Sequence, residues 1–201
     1  MSGKKKIDET PKPTEAAKIV YPGKFIREFR LLRACSAEDE ARDYIYQTIL
    51  FKEEEEQTVA MATNGRVLAK ARFDKGYFND IRGNFTAKEI GGNAFILTPA
   101  KNPPTDYNGV IPNGKDLKCV FVTCNPEYIV GEFGLHGVHI STEWTKPIEK
   151  YNASTTNNIN AYCSVNEKDA ANNPVFITFE NVEIVIMPIR QTREYIREYL
   201  Q

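Results

Sequence analysis

Between Lys24 and Cys35 the apolar residues keep helical spacing: Phe25, Phe29 and Leu32 stand four and three apart and form one stripe. At about 100° per residue, Arg27 and Arg30 fall opposite that stripe with Lys24 and Arg33 flanking them, so the predicted helix is apolar below and basic above. The pattern then shortens to that of strands. Residues 43–52 (DYIYQTILFK) are rich in aromatic and β-branched types and predict a strand, followed by an acidic turn at Glu53–Glu56. Thr58–Thr63 and Arg66–Phe73 flank Asn64-Gly65, the dipeptide that supplies both positive φ angles of a type I′ turn, so a hairpin is expected there. On its second strand Arg66, Lys70 and Arg72 share a face with Leu68.

Residues 75–117 are rich in Gly, Asn and Pro and read as a linker or a long insertion, with one short strand at Ala94–Leu97. Residues 118–124 (KCVFVTC) predict a buried strand. Asn125-Pro126 then supply a cap and a first-turn proline for a short helix through Phe133. Val138–Trp144 reads as a strand, and the stretch 145–173 as polar, Asn-rich chain. Val175–Phe179 and Val182–Met187 predict a second hairpin around Glu180-Asn181, stopped by Pro188. Tyr195, Ile196, Tyr199 and Leu200 place a short amphipathic helix in 191–201. Residues 1–19 combine a lysine run with two prolines and no apolar period, the composition of a flexible basic tail.

Composition sets the scale. The 201 residues and 22.8 kDa allow one generous domain or two small ones and exclude a large multidomain enzyme. With 26 Lys and Arg against 27 Asp and Glu, any contact with nucleic acid must come from a local patch and not from overall charge. No stretch approaches the ~18 apolar residues of a membrane span, and the start lacks the apolar core of a signal peptide, so a soluble cytoplasmic protein without membrane partners is expected.

Candidate chemistry is sparse. Cys35, Cys119, Cys124 and Cys163 form no C-x-x-C pair and are expected to be buried, reduced thiols. His136 and His139, three apart on an expected strand, point to opposite faces and have no supporting ligands, so no metal site is assigned. Neither a phosphate-binding glycine loop nor a nucleophile elbow nor a zincin pattern occurs, and neither catalytic residues nor a cofactor is expected.

Four segments carry a family resemblance. Phe25–Phe73 resembles the middle domain of the bacterial DNA polymerase sliding clamp, the beta subunit. In that family a helix is followed by an R-Y-Y-L-N-G-x-L-F segment and an A-T-D-G-H-R-L-A hairpin. Here Arg42-Asp-Tyr-Ile-Tyr-Gln-Thr-Ile-Leu-Phe51 and Ala62-Thr-Asn-Gly-Arg-Val-Leu-Ala69 stand in the same order. Pro104-Thr-Asp-Tyr-Asn-Gly-Val-Ile-Pro112 is similar to the P-D-Y-x-x-V-L-P linker, and Val185-Ile-Met-Pro-Ile-Arg190 to the closing V-V-M-P-M-R strand.

The resemblance implies an α+β, clamp-type fold, with antiparallel sheets and short helices packed on one face, and a non-enzymatic function. It implies a homo-oligomeric ring or ring fragment that contacts duplex DNA without sequence preference through Lys24, Arg27, Arg30 and Arg33. Phosphate contact of that kind calls for a helix cationic on one side and packed on the other. The family also holds peptides of DNA polymerases and other clamp-binding partners in an apolar pocket, whose positions fall here on Thr63, Gly65, Arg66, Leu68, Pro104, Val185 and Met187. Asn64, Arg66 and Val67 depart from the Asp, His and Arg of the hairpin motif. The chain is about half a clamp subunit, so region 20–190 is expected to be one domain with an insertion at 75–117 or two cut-down halves split near 99–114. A ring then needs more subunits than a dimer, or does not close. The leading expectation is an abbreviated, phage-type processivity factor; the alternative is a structural or assembly protein on the same scaffold, part of a virion and without DNA tethering. A hydrolase using His136 or His139 is the third class.

Overall fold

Alternating apolar residues and glycine-containing turns string the chain into ten strands and three helices among the described residues. The computed structural model describes residues 16–36, 47–78, 80–100, 107, 110–112, 114–152, 158–164 and 173–189. In order these are β1 (Lys18–Val20), α1 (Ile26–Cys35), β2 (Ile49–Glu53), β3 (Gln57–Thr63), β4 (Val67–Asp74), β5 (Gly83–Gly91), β6 (Ala94–Pro99), β7 (Leu117–Thr123), α2 (Ile129–Leu135), α3 (Thr142–Asn152), β8 (Ile159–Ser164), β9 (Val175–Phe179) and β10 (Val182–Ile186). The strands form one antiparallel sheet in the order β1-β6-β5-β2-β3-β4-β10-β9-β8-β7. Its middle repeats a unit, helix followed by a three-strand meander: α1-β2-β3-β4 and α3-β8-β9-β10. The two units meet where β4 pairs antiparallel with β10, Leu68 opposite Val185, and α1 packs beside α3.

Period-two alternation decides which side each strand buries. Ile159, Ala161 and Cys163 of β8, Val175, Ile177 and Phe179 of β9, and Val67, Ala69, Ala71 and Phe73 of β4 all face the helices and join one core with Phe29 and Leu32 of α1 and Ile148 of α3. Phe29 is its hub, fully buried, with ring centroids of Phe51, Phe78 and Phe95 at 5.9, 5.8 and 4.7 Å. On the opposite face a smaller cluster joins Leu50, Val59, Met61, Leu68 and Val185 to Tyr107, with Ile111 and Phe176 against it.

Several expectations need correction. The 75–117 stretch carries β5 and β6, joined by a tight turn in which Gly91, Gly92 and Asn93 all take positive φ (88°, 58° and 61°). Gly91 and Gly92 are thus turn signals inside a β-hairpin and not the mark of a linker. The first hairpin exists, but only Gly65 has positive φ (82°), so the turn centres on Gly65-Arg66 and is not type I′. Asn64 contributes through its side chain, whose Oδ1 accepts from the Arg66 and Val67 amides at 2.9 Å each.

Val138–Trp144 is not a strand, and α3 lies where a polar stretch was expected. Trp144, Ile148 and Tyr151 recur there at i, i+4 and i+7, and Pro147 within the helix hid the pattern. Strand β7 is an exposed edge and not a buried strand, because no neighbour covers its outer rim among the described residues. β1 begins inside the expected tail. Residues 1–15, 37–46 and 191–201, which include most of that tail, part of the R-D-Y segment and the expected C-terminal helix, lie outside the described residues.

Candidate nucleic-acid interface and peptide pocket

Helix α1 lies on the core through Phe29 and Leu32, and its cations Arg27, Arg30 and Arg33, with Lys24 just before it, stay exposed or half-buried. It does not present them bare, as its spacing alone predicts. Lys24 pairs with Asp74 at the end of β4, and this contact holds its ammonium above the ordinary lysine pKa. Arg30 donates to Glu89 of β5 from Nη2 at 2.7 Å and Nε at 3.1 Å, and to Asn93 Oδ1 at 3.0 Å. Arg27 lies 3.9 Å from Glu180 in the β9–β10 turn and 5.3 Å from the centre of the Tyr151 ring. Arg33 donates to Ser36 Oγ at 3.1 Å.

Lys24 and Asp74 are 63% and 64% exposed, and Arg30 and Glu89 49% and 41%. Exposed pairs of that kind contribute about 0–1 kcal/mol. A phosphate that replaced the carboxylate would therefore meet little resistance.

Between α1 and α3 runs a groove of about 230 Å³ lined by Arg27, Arg30, Leu31, Pro147, Lys150 and Tyr151. Lys150 and the exposed Lys146 are cations on α3 that sequence reasoning missed, since α3 itself was not recognised. Under the groove a polar knot ties the two helices to the β9–β10 turn. Tyr151 Oη lies 3.2 Å from Glu28 Oε1 and 3.1 Å from Glu180 Oε2. Burial, then the two carboxylates, raise the Tyr151 pKa far above the usual tyrosine range. Glu28 is only 4% exposed. Its Oε2 has no hydrogen-bond partner among the described residues.

The peptide-pocket positions gather at one end of the β4–β10 seam. Leu68 and Val185 are register partners, and Thr63 pairs with Leu68 across the first hairpin. Met187 N donates to Arg66 O at 2.9 Å, which brings the closing strand against the turn that holds Gly65 and Arg66. Six of the seven predicted positions thus converge, and Pro104 lies outside the described residues. Tyr107 and Ile111 of the same linker motif pack onto Leu68 and Val185.

The remaining candidates do not converge. His136 and His139 are both exposed and lie after α2, not on a strand. Cys35 and Cys163 are buried, which pushes their thiols up to about 12 and about 11, whereas Cys119 and Cys124 are exposed, contrary to expectation, because β7 is an edge. Ellman's reagent at mildly alkaline pH is expected to modify two thiols per native chain rapidly and the other two only on unfolding; four rapid thiols would contradict this packing. No helix among the described residues is long and apolar enough to cross a membrane.

No protein-family model and no curated protein sequence matches the chain. Solved structures do. The chain is similar to the DNA polymerase sliding clamp of Bacillus subtilis at 12% identity and TM-score 0.54, over 92% of this chain and 68% of that one. It is similar to the DNA polymerase III beta subunit of Thermotoga maritima at 14% identity and TM-score 0.54, over 92% and 69%. For the beta subunit of Borrelia burgdorferi the values are 10%, 0.54, 88% and 63%. One antiparallel sheet with a pair of helices on one face, spanning about two thirds of the matched chains, is the fold of the bacterial DNA polymerase sliding clamps.

Proposed function

We propose that this protein is a non-enzymatic, sliding-clamp-like tether that contacts duplex DNA without sequence preference and docks a polymerase or repair factor through a short peptide. The observation that carries this reading is the pairing of α1 with α3, which sets Arg27, Arg30 and Lys150 around one groove on the helical face. The clustering of six pocket positions on the far side of the β4–β10 seam supports the docking half. Among the described residues the sheet ends in the unpaired rims of β1 and β7. Exposed Ile19 and Tyr21 lie at one and Val122 at the other. Copies joined rim to rim would build a cytoplasmic homo-oligomer around DNA, as a phage-encoded clamp requires.

The second reading, a scaffold for protein contacts without DNA tethering, is favoured by one specific observation: Lys24, Arg27 and Arg30 already face carboxylates. Salt dependence separates the two. Four phosphate contacts from Lys24, Arg27, Arg30 and Arg33 give a slope of about −3.6 in a plot of log binding constant against log salt, and Arg30→Ala reduces it by about 0.9. A flat response, or no binding at low salt, overturns the tether and leaves the scaffold.

A further inference from the structure

Left-handed backbone disfavours any residue that carries a Cβ, and among the described residues only two that are not glycine adopt it: Asn93 at φ 61° and Glu180 at φ 47°. Asn93 closes the β5–β6 turn, and Glu180 lies in the β9–β10 turn. Each sends the side chain that glycine lacks to an arginine of α1. Asn93 Oδ1 accepts from Arg30 Nη2 at 3.0 Å. Glu180 Oε2 lies 3.9 Å from Arg27 Nη2 and accepts from Tyr151 Oη at 3.1 Å. Arg27 and Arg30 are the two arginines that line the groove between α1 and α3.

The contacts of Arg30 leave a definite remainder. Nε gives its proton to Glu89 Oε1, and Nη2 gives one proton to the same oxygen and the other to Asn93. Nη1 keeps both of its protons without a partner among the described residues. Glu89 and Asn93 stand on the same hairpin and hold one edge of the guanidinium at two points, which fixes its plane. A phosphate can then be met at Nη1 before Glu89 releases the other edge. Resting on the reading of α1 as the DNA-facing helix, we infer that Asn93 is a positioning residue: it orders Arg30 along the groove before DNA arrives, so that binding does not have to immobilise a long side chain. Backbone strain in the turn is retained because a glycine there could not reach Arg30.

Asn93→Gly is the discriminating variant, because glycine suits φ 61° and the change alters no charge. The full chain is titrated at low salt with a fluorescein-labelled duplex of arbitrary sequence and followed by anisotropy. The variant is expected to bind about threefold more weakly, the loss for one side chain that must be ordered on binding. Its Tm stays within about 3 °C of the parent's. In the Arg30→Ala background the same change leaves affinity unaltered. In the protein without DNA, the Arg30 Nε proton, followed by nuclear magnetic resonance, exchanges with water faster in Asn93→Gly than in the parent. Equal or tighter binding by Asn93→Gly, unchanged exchange at Arg30, or the same loss in the Arg30→Ala background overturns the positioning role and leaves the tether standing. If the parent itself binds no duplex at low salt, the positioning role and the tether fall together.

Discussion

Replacing Phe29 by alanine is expected to lower the unfolding free energy by about 3–5 kcal/mol, the range for removing a fully buried aromatic ring from a packed core. The ring joins α1 to β2, to β6 and to Phe78 after β4, so its loss leaves a cavity bordered by three other rings. For a chain of this size that corresponds to a fall in Tm of about 6–20 °C. Phe29→Leu is expected to cost much less, because it keeps most of the volume. Thermal unfolding followed by far-ultraviolet circular dichroism measures both. A change under about 1 kcal/mol for the alanine variant would mean that α1 is not anchored as described, and the cations on its outer face would lose their fixed positions with it.

The second large effect is expected at the polar knot beneath the helix pair. Tyr151 has one phenolic proton for two carboxyl groups, those of Glu28 and Glu180. Tyr151→Phe removes the donor and leaves Glu28, 4% exposed, without a partner among the described residues. Hydrogen bonds to charged groups contribute about 1.5–3 kcal/mol, and that is the expected loss. Glu28→Gln is expected to be at least as stable as the parent, since the amide keeps the shape and removes the need to hold a carboxyl inside. In the Glu28→Gln background Tyr151→Phe should cost less than it does alone, and urea unfolding of the four proteins gives the coupling directly. Equal cost in both backgrounds would show that Tyr151 acts through its ring alone, which also packs on Phe179 at 5.0 Å.

Local patterns made part of this fold legible. The Phe25, Phe29 and Leu32 spacing located α1, and alternation around Glu180-Asn181 located β9 and β10. Helix α3 carried an equally regular stripe in Trp144, Ile148 and Tyr151, but Pro147 and the polar residues around it masked the period. β5 was lost for the opposite reason. Glycines at both its ends suggested loop, although Gly91 and Gly92 make the turn that a tight hairpin needs. The expected docking positions were legible as separate motifs, while their gathering at one end of the β4–β10 seam depends on how the strands pair.

Pairing of the basic face was beyond any local reading. Asp74 is 50 residues from Lys24 and Glu89 is 59 from Arg30, so only the assembled sheet brings the charges together. The same holds for Lys150, which becomes part of the basic groove only because α1 and α3 pack side by side. Carboxylates near the cations also make the electrostatic prediction sharper. Binding must exchange weak surface pairs for phosphate contacts, which lowers affinity without removing the dependence on salt.

The most direct test of the account is to map where duplex DNA touches the protein. Backbone amide shifts recorded while a short duplex of arbitrary sequence is added should change most at Arg27, Arg30 and Lys150 along the α1–α3 groove, equally for unrelated sequences, and stay fixed at Leu68 and Val185 on the other face. Shifts confined to that other face, or none at low salt, would contradict it.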